Sequence, residues 1–222
     1  MCIRDRGEKE PQRETVLEAE PAGEIAPVFD REISDLPPQE TWRNVREFGA
    51  VGNGEVDDTE ALQRALDQCA AVYLPQGTYR VTDTLHLREG GALIGLNPIT
   101  TQLVLWENTS AWAGMGAPKA VLESCRGGYN LLSGVGIDTA ARNPRAVGCK
   151  WMAGKGSYCN DIKFVGGHGQ ITEQQENVPT YNPSRTADYD PDRPWDSQYW
   201  SLWITENGGG TFKDIWSASP YA

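Results

Sequence analysis

The stretch Asn44-Val45-Arg46-Glu47-Phe48-Gly49-Ala50-Val51-Gly52-Asn53-Gly54-Glu55-Val56-Asp57-Asp58-Thr59-Glu60-Ala61-Leu62 decides the fold. Asn44 to Val51 reads as a short strand, and Gly52-Asn53-Gly54 supplies residues that tolerate a positive φ in a tight turn. A helix is predicted next, from Asp57 to Cys69. Asp57 and Asp58 can cap it, Glu60 stands three residues after Asp57 as in a capping box, and Leu62, Ala65, Leu66 and Cys69 fall at i, i+3, i+4 and i+7. An apolar stripe of that kind has to lie on an apolar partner.

The partner is a run of short strands. Ala71 to Pro75, Thr78 to Thr82, Thr84 to Leu87, Ala92 to Leu96, Gln102 to Trp106 and Ala120 to Cys125 are separated by turn residues, and no second helical period occurs. Val135-Gly136-Ile137 and Ile162-Lys163-Phe164 are 27 residues apart, each with an apolar residue three positions earlier, Leu132 and Cys159. Ile215-Trp216-Ser217, with Phe212 ahead of it, lies 53 residues after Ile162. Leu202-Trp203-Ile204 lies 53 after Cys149-Lys150-Trp151. Strand repeats of roughly 20–30 residues, none able to bury its face alone, mark a solenoid. The doubled interval fits one ordinary coil carrying an insertion at about 170–199, rich in Pro, acidic and aromatic residues.

The 222 residues carry 20 Lys+Arg and 31 Asp+Glu, a net charge of −11, which gives a nucleic-acid backbone or an anionic membrane no electrostatic reason to bind. No apolar run approaches the ~20 residues of a membrane span. Residues 1–40 hold 5 basic and 11 acidic side chains, five prolines and no apolar period. Residues 1–41 are therefore expected to be a disordered tail, and 42–222 the folded domain. Met1-Cys2-Ile3-Arg4-Asp5-Arg6 resembles a translated sequencing-adaptor leader, and the chain stops directly after a strand, so a fragment is expected. Cys2, Cys69, Cys125, Cys149 and Cys159 form no CxxC pair, so zinc and thioredoxin-type chemistry find no support. Buried small hydrophobes are the expectation for them, with a Cys149–Cys159 bridge the one pairing to test.

The opening stretch, followed by Val72-Tyr73-Leu74-Pro75-Gln76-Gly77-Thr78-Tyr79 and Leu93-Ile94-Gly95, resembles the start of the pectate-lyase-like superfamily, which includes the rhamnogalacturonase and family 28-related glycoside hydrolases. The second half, from Phe164-Val165-Gly166-Gly167-His168-Gly169 through Trp195-Asp196-Ser197-Gln198-Tyr199 to Thr205-Glu206-Asn207-Gly208-Gly209-Gly210, is similar to family 28-related bacterial proteins and, more distantly, to family 55 exo-β-1,3-glucanases. The resemblance implies an all-β chain, a right-handed parallel β-helix whose N-terminal end is covered by the predicted helix. It also implies a polysaccharide or oligosaccharide partner and an extracellular or periplasmic location; no cofactor is expected. A glycoside hydrolase fragment is the leading expectation, with catalytic residues expected in later coils. A noncatalytic glycan-binding module of tailspike or adhesin type, or a polysaccharide lyase, is the alternative.

Glycosidic hydrolysis needs two carboxyl groups facing each other across the sugar. Glu206, at a strand end before three glycines, is the leading catalytic candidate. Asp161 and Asp214 occupy one phase of two coils, where a turn role competes with a catalytic one. His168 could donate to sugar hydroxyls or be structural. Trp195, Tyr199 and Trp200 are expected to bind sugar, since flat aromatic faces stack on pyranose C–H faces; Trp203 and Trp216 divide between that role and core filling. Asp188-Tyr189-Asp190-Pro191-Asp192 lacks the Gly and Glu of a calcium loop, so no metal site is expected.

Overall fold

The computed structural model describes residues 35–114, 116–140, 143–166, 170–171, 177–178 and 199–217. After a 3-10 turn at Gln39–Thr41, β1 (Arg43–Asn44), β2 (Asn53–Asp57) and α1 (Thr59–Gln68) form a first coil. β3 (Ala71–Tyr73), β4 (Gly77–Arg80) and β5 (Leu85–His86) form the second. β6 (Gly91–Ile94), β7 (Thr101–Val104) and β8 (Lys119–Glu123) form the third, and β9 (Asn130–Ser133), β10 (Gly136–Asp138) and β11 (Ala146–Trp151) the fourth. β12 (Tyr158–Val165), the antiparallel pair β13 (Gln170–Ile171) and β14 (Asn177–Val178), and β15 (Leu202–Ile204) make the fifth; β16 (Thr211–Ser217) begins the next.

Apart from β13 and β14, each strand pairs in parallel with its counterpart one coil away, giving three ladders. β1, β3, β6, β9, β12 and β16 make the first; β2, β4, β7, β10, β12 and β16 the second; β5, β8, β11 and β15 the third. The strand repeats fix the register: Ile162 pairs with Ile215, Cys159 with Leu132, Gly136 with Lys163, and Lys150 with Trp203. β12 and β16 are adjacent rungs, so the 53-residue interval is one coil with its insertion.

β12 and β16 serve two ladders because the chain turns a corner within them, at Asp161 and Asp214, both with φ +51. One rung earlier Gly134 holds the same place with φ +67. Asp and Asn are the residues other than Gly that enter this left-handed region most readily, which gives both aspartates a turn role. Gly95 lies against Gly134 so closely that a Cβ on it would come 2.3 Å from the Gly134 carbonyl oxygen.

The main core runs the length of the stack, from Val45, Leu62 and Leu66 through Leu93, Leu103 and Leu122 to Cys149, Trp151 and Phe164. α1 contributes Ala61, Leu62, Ala65 and Leu66 to it, as the stripe required. Ladder one is apolar on its other side too, where Ala71, Ala92, Leu131 and Tyr158 stack in register beside Trp42 and Tyr129.

Three local expectations are corrected. Val45–Phe48 is a 3-10 helix entered through Asn44, whose side chain accepts the Arg46 N–H, and so the predicted strand shortens to β1. Gly52 and Gly54 have positive φ, yet Asn53–Asp57 goes on to form β2. Asp58 is the N-cap residue of α1, but its side chain caps nothing there. Instead its buried carboxylate accepts the N–H groups of Val51 at 2.7 Å and Gly52 at 3.0 Å. Asp57 accepts from the Thr59 amide and hydroxyl and from the Thr82 hydroxyl. Burial works against ionisation of Asp57, but these hydrogen bonds and the nearby Arg80 charge outweigh it and hold its carboxyl below the ordinary value.

Candidate functional site

Ladder three is the face on which polar and aromatic side chains gather. Leu85, Leu122 and Cys149 point inward, so their neighbours His86, Glu123 and Lys150 point out, and the register aligns these with Trp203 in one row. Rungs are about 4.8 Å apart, so the row runs along the stack. It ends at α1. There the Gln63 side-chain amide donates to the His86 carbonyl and accepts the His86 N–H, the two bonds a further strand would have made to β5.

Basic and acidic side chains alternate along the row up to Trp203. The His86 imidazole Nδ1 lies 3.6 Å from a Glu123 carboxylate oxygen. Lys150 Nζ lies 5.0 Å from the centre of the Trp203 ring and 3.8 Å from Glu206 Oε1, while Arg126 pairs with the other Glu206 oxygen. Glu206 and Asn207, with φ +54 and +63, form a tight turn closed by the Gly208 N–H bonding to the Thr205 carbonyl. Beside Trp203 the aromatic surface widens: Trp200 is 6.3 Å from it between ring centres, and Tyr199 is 6.4 Å from Trp200. The Tyr199 hydroxyl donates to the Gly116 carbonyl, and Trp200 is 55% exposed.

At the α1 end the row opens into a cleft of about 560 Å³. Asp83 and Lys119 face each other in it at 2.8 Å, and the Lys119 hydrogen bond holds the Asp83 carboxyl below its ordinary value against burial.

Of the residues expected to form a site, Tyr199, Trp200 and Glu206 lie on this one face, together with Trp203. His168 and Trp195 lie outside the described residues. Asp161 and Asp214 sit at the corner between ladders one and two, away from Glu206, and Trp216 is exposed on ladder two under Lys163. Glu123, Arg126, Lys150 and Lys119 were not among the expected site residues. The pairing of 149–151 with 202–204 already sets Lys150 beside Trp203, and carrying that register back one coil reaches Glu123. Cys69, Cys125, Cys149 and Cys159 are free thiols, the last two buried in the core. Among the described residues no three His, Cys, Asp or Glu side chains gather to hold a metal, and no helix is long and apolar enough to cross a membrane.

A stack of parallel rungs with a row of aromatic and charged side chains along one ladder defines a class, and the sequence places the chain within it. Residues 42–186 match the family described as rhamnogalacturonase A/epimerase, pectate lyase-like, and the chain belongs to that family. It is similar to alginate lyase 7 of Azotobacter vinelandii, 42% identical over 59 residues, covering 24% of this chain and 7% of the relative. It is also similar to a probable glucan endo-1,3-beta-glucosidase of Arthroderma benhamiae, 25% identical over 183 residues, covering 78% of this chain and 20% of the relative. Among solved structures, gene product 12 of bacteriophage phi29 in its pre-mature form aligns with a TM-score of 0.42 and 20% identity, over 55% of this chain and 17% of that one. The chain spans a small part of the length of the curated relatives it matches.

Proposed function

We propose that the chain belongs to a polysaccharide-degrading glycoside hydrolase that works outside the cell, on a right-handed β-helix whose end is capped by α1, and that the glycan lies along ladder three. The observation that carries this reading is the solvent-facing line formed by His86, Glu123, Lys150 and Trp203, flanked at its Trp203 end by Trp200 and Tyr199. Aromatic faces at Trp200 and Trp203 would bury the apolar faces of successive sugar rings with little entropy loss. Charged groups along the row would take the hydroxyls, with Glu206, 3.8 Å from Lys150 Nζ, as the carboxylate at its aromatic end. A neutral glycan fits a chain of net charge −11 better than a polyuronate does. The glucan-directed relative, aligned over 78% of this chain, supports the same choice.

A noncatalytic glycan-binding role is the second reading, and one observation favours it. Glu206 is already paired with Arg126 and Lys150, and a carboxylate between two cations is poorly suited to hold the proton a general acid must deliver. The two readings separate when the protein is incubated with a linear β-1,3-glucan and with a polyuronate, following reducing ends, ultraviolet absorbance of unsaturated uronate, and retardation in glycan-containing gels. New reducing ends without absorbance support hydrolysis, absorbance supports a lyase, and retardation without products supports binding alone. Retardation should be lost in Trp200→Ala. A protein neither retarded by nor active on either glycan would overturn the placement of the glycan on ladder three.

A further inference from the structure

The cleft at the α1 end of ladder three has no part in the aromatic platform, yet it shares two residues with the row. His86 and Glu123 both line it and both belong to the line of outward side chains. Its far wall is α1, whose Gln63 amide is committed to His86 and to Asp67, so that wall is fixed rather than available as a ligand. Thr84 is committed as well, its hydroxyl donating to the Ala120 carbonyl at 2.7 Å. The polar groups left facing the cleft are the Asp83–Lys119 and His86–Glu123 pairs, with Glu60 at the rim turned toward Arg64. At about 560 Å³ it falls within the size range of small-molecule sites.

We propose that this cleft is a subsite for the terminal unit of a neutral glycan chain, whose following units lie on the Trp203 and Trp200 end of ladder three. The inference rests on the glycan lying along that ladder. A sugar unit here would find no aromatic face, because none lines the cleft, and would be held by its hydroxyls. An aldohexose presents donors and acceptors on adjacent carbons, and the Asp83–Lys119 pair offers both within one ion-pair distance. The three carboxylates Glu60, Asp83 and Glu123 outnumber the Lys119 cation, which is already paired with Asp83, so a uronate is opposed. A chain lying along the row meets α1 just past His86 and cannot continue in the same line, and so the unit in the cleft is an end.

The test compares a linear neutral β-1,3-gluco-oligosaccharide with a cyclic β-glucan of similar size, titrated calorimetrically into the full chain. The wild type is expected to bind the linear sugar about tenfold more tightly, the scale of one or two hydrogen bonds to charged groups. The double variant His86→Ala/Lys119→Ala should lose that preference and bind both sugars as the wild type binds the cyclic one. Lys119→Gln, which keeps the side-chain length, should lose only part of it, and an unchanged thermal midpoint in each variant confirms the fold. A wild type without preference for the linear sugar, or a double variant that retains it, overturns the subsite while leaving the ladder-three reading intact. If Trp200→Ala binds both sugars as the wild type does, or the wild type binds neither, the reading beneath it falls too. Tighter binding of an oligouronate or of a hexosamine oligomer through the same residues overturns the assignment to neutral sugars.

Discussion

Two carboxylate-bearing turns in this molecule, at Asp57–Asp58 and at Glu206, are built in opposite ways. At Asp57–Asp58 the oxygens face backbone N–H groups and threonine hydroxyls, and Asp58 is 1% exposed. At Glu206 they face two side-chain cations on a surface turn whose backbone carries two left-handed residues. A carboxylate fixed by the backbone cannot be exchanged without unmaking the turn. One held by mobile cations can give those cations to another ligand. Acidic residues near a solenoid's strand ends therefore divide by the identity of their donors: Asp57–Asp58 serve the architecture, and Glu206 is left with donors that the glycan proposed for ladder three could take over.

Both turns hang on the same stack, and breaking one of its rungs is the largest change expected. Ile162→Asp places an unpaired charge among Cys159, Phe164 and their neighbours in the core and should destabilise by about 4 kcal/mol or prevent folding. Asp58→Ala comes next. It leaves the Val51 and Gly52 N–H groups without acceptors and should cost about 3 kcal/mol in denaturant unfolding. Glycan binding measured below the transition should be unchanged, and a binding loss at intact stability would erase the distinction between the two turns.

A smaller effect, and one of definite sign, follows from pH. The Asp57 carboxyl is held below the ordinary value of 3.8, so its contribution to stability is fully present above that pH. It is lost as the pH falls through the lower folded value. Melting scanned from pH 6 to pH 2 should show wild type and Asp57→Asn converging at the acid end, with the gap between them opening as the pH rises. Smaller again is the corner residue Asp161. Asp161→Val forces a β-branched side chain into φ +51 and should cost about 1–2 kcal/mol, whereas Asp161→Asn should be nearly silent in both melting and glycan binding. A binding or activity loss in Asp161→Asn would return this residue to the list of functional carboxylates.

The solenoid was legible because its signals are periodic. The triplets at 135, 162 and 215 and the pair at 149 and 202 are rungs in contact, and the amphipathic stripe of α1 meets the core they form. Of the candidate face on ladder three, only residues conspicuous by type, Tyr199, Trp200 and Glu206, were singled out from the sequence. Lys150, Glu123 and Arg126 escaped because nothing about a lone Lys, Glu or Arg separates a ligand from a solvated side chain. Position on a shared ladder makes the difference, and it emerges only when register is carried from coil to coil. The strand expected over Asn44–Val51 failed for a local reason, since the Asn44 side chain accepts the Arg46 N–H and opens a 3-10 turn in place of a continued strand.

The sharpest test is also the smallest in stability. Glu206→Gln keeps shape and backbone conformation and removes a charge from a surface ion-pair cluster, so unfolding should shift by no more than about 0.5 kcal/mol. Its effect on binding depends on what the cluster is for. If Glu206 accepts hydroxyls of a neutral glycan, Glu206→Gln weakens that binding severalfold, and Arg126 and Lys150 gain no new partner from the sugar. If instead Glu206 fills a place meant for a sugar carboxylate, Glu206→Gln frees both cations, and a polyuronate should bind more tightly than it does to the wild type. Titrating both glycans into wild type and Glu206→Gln at low and high salt reads the two cases apart, because only the uronate gain is screened by salt.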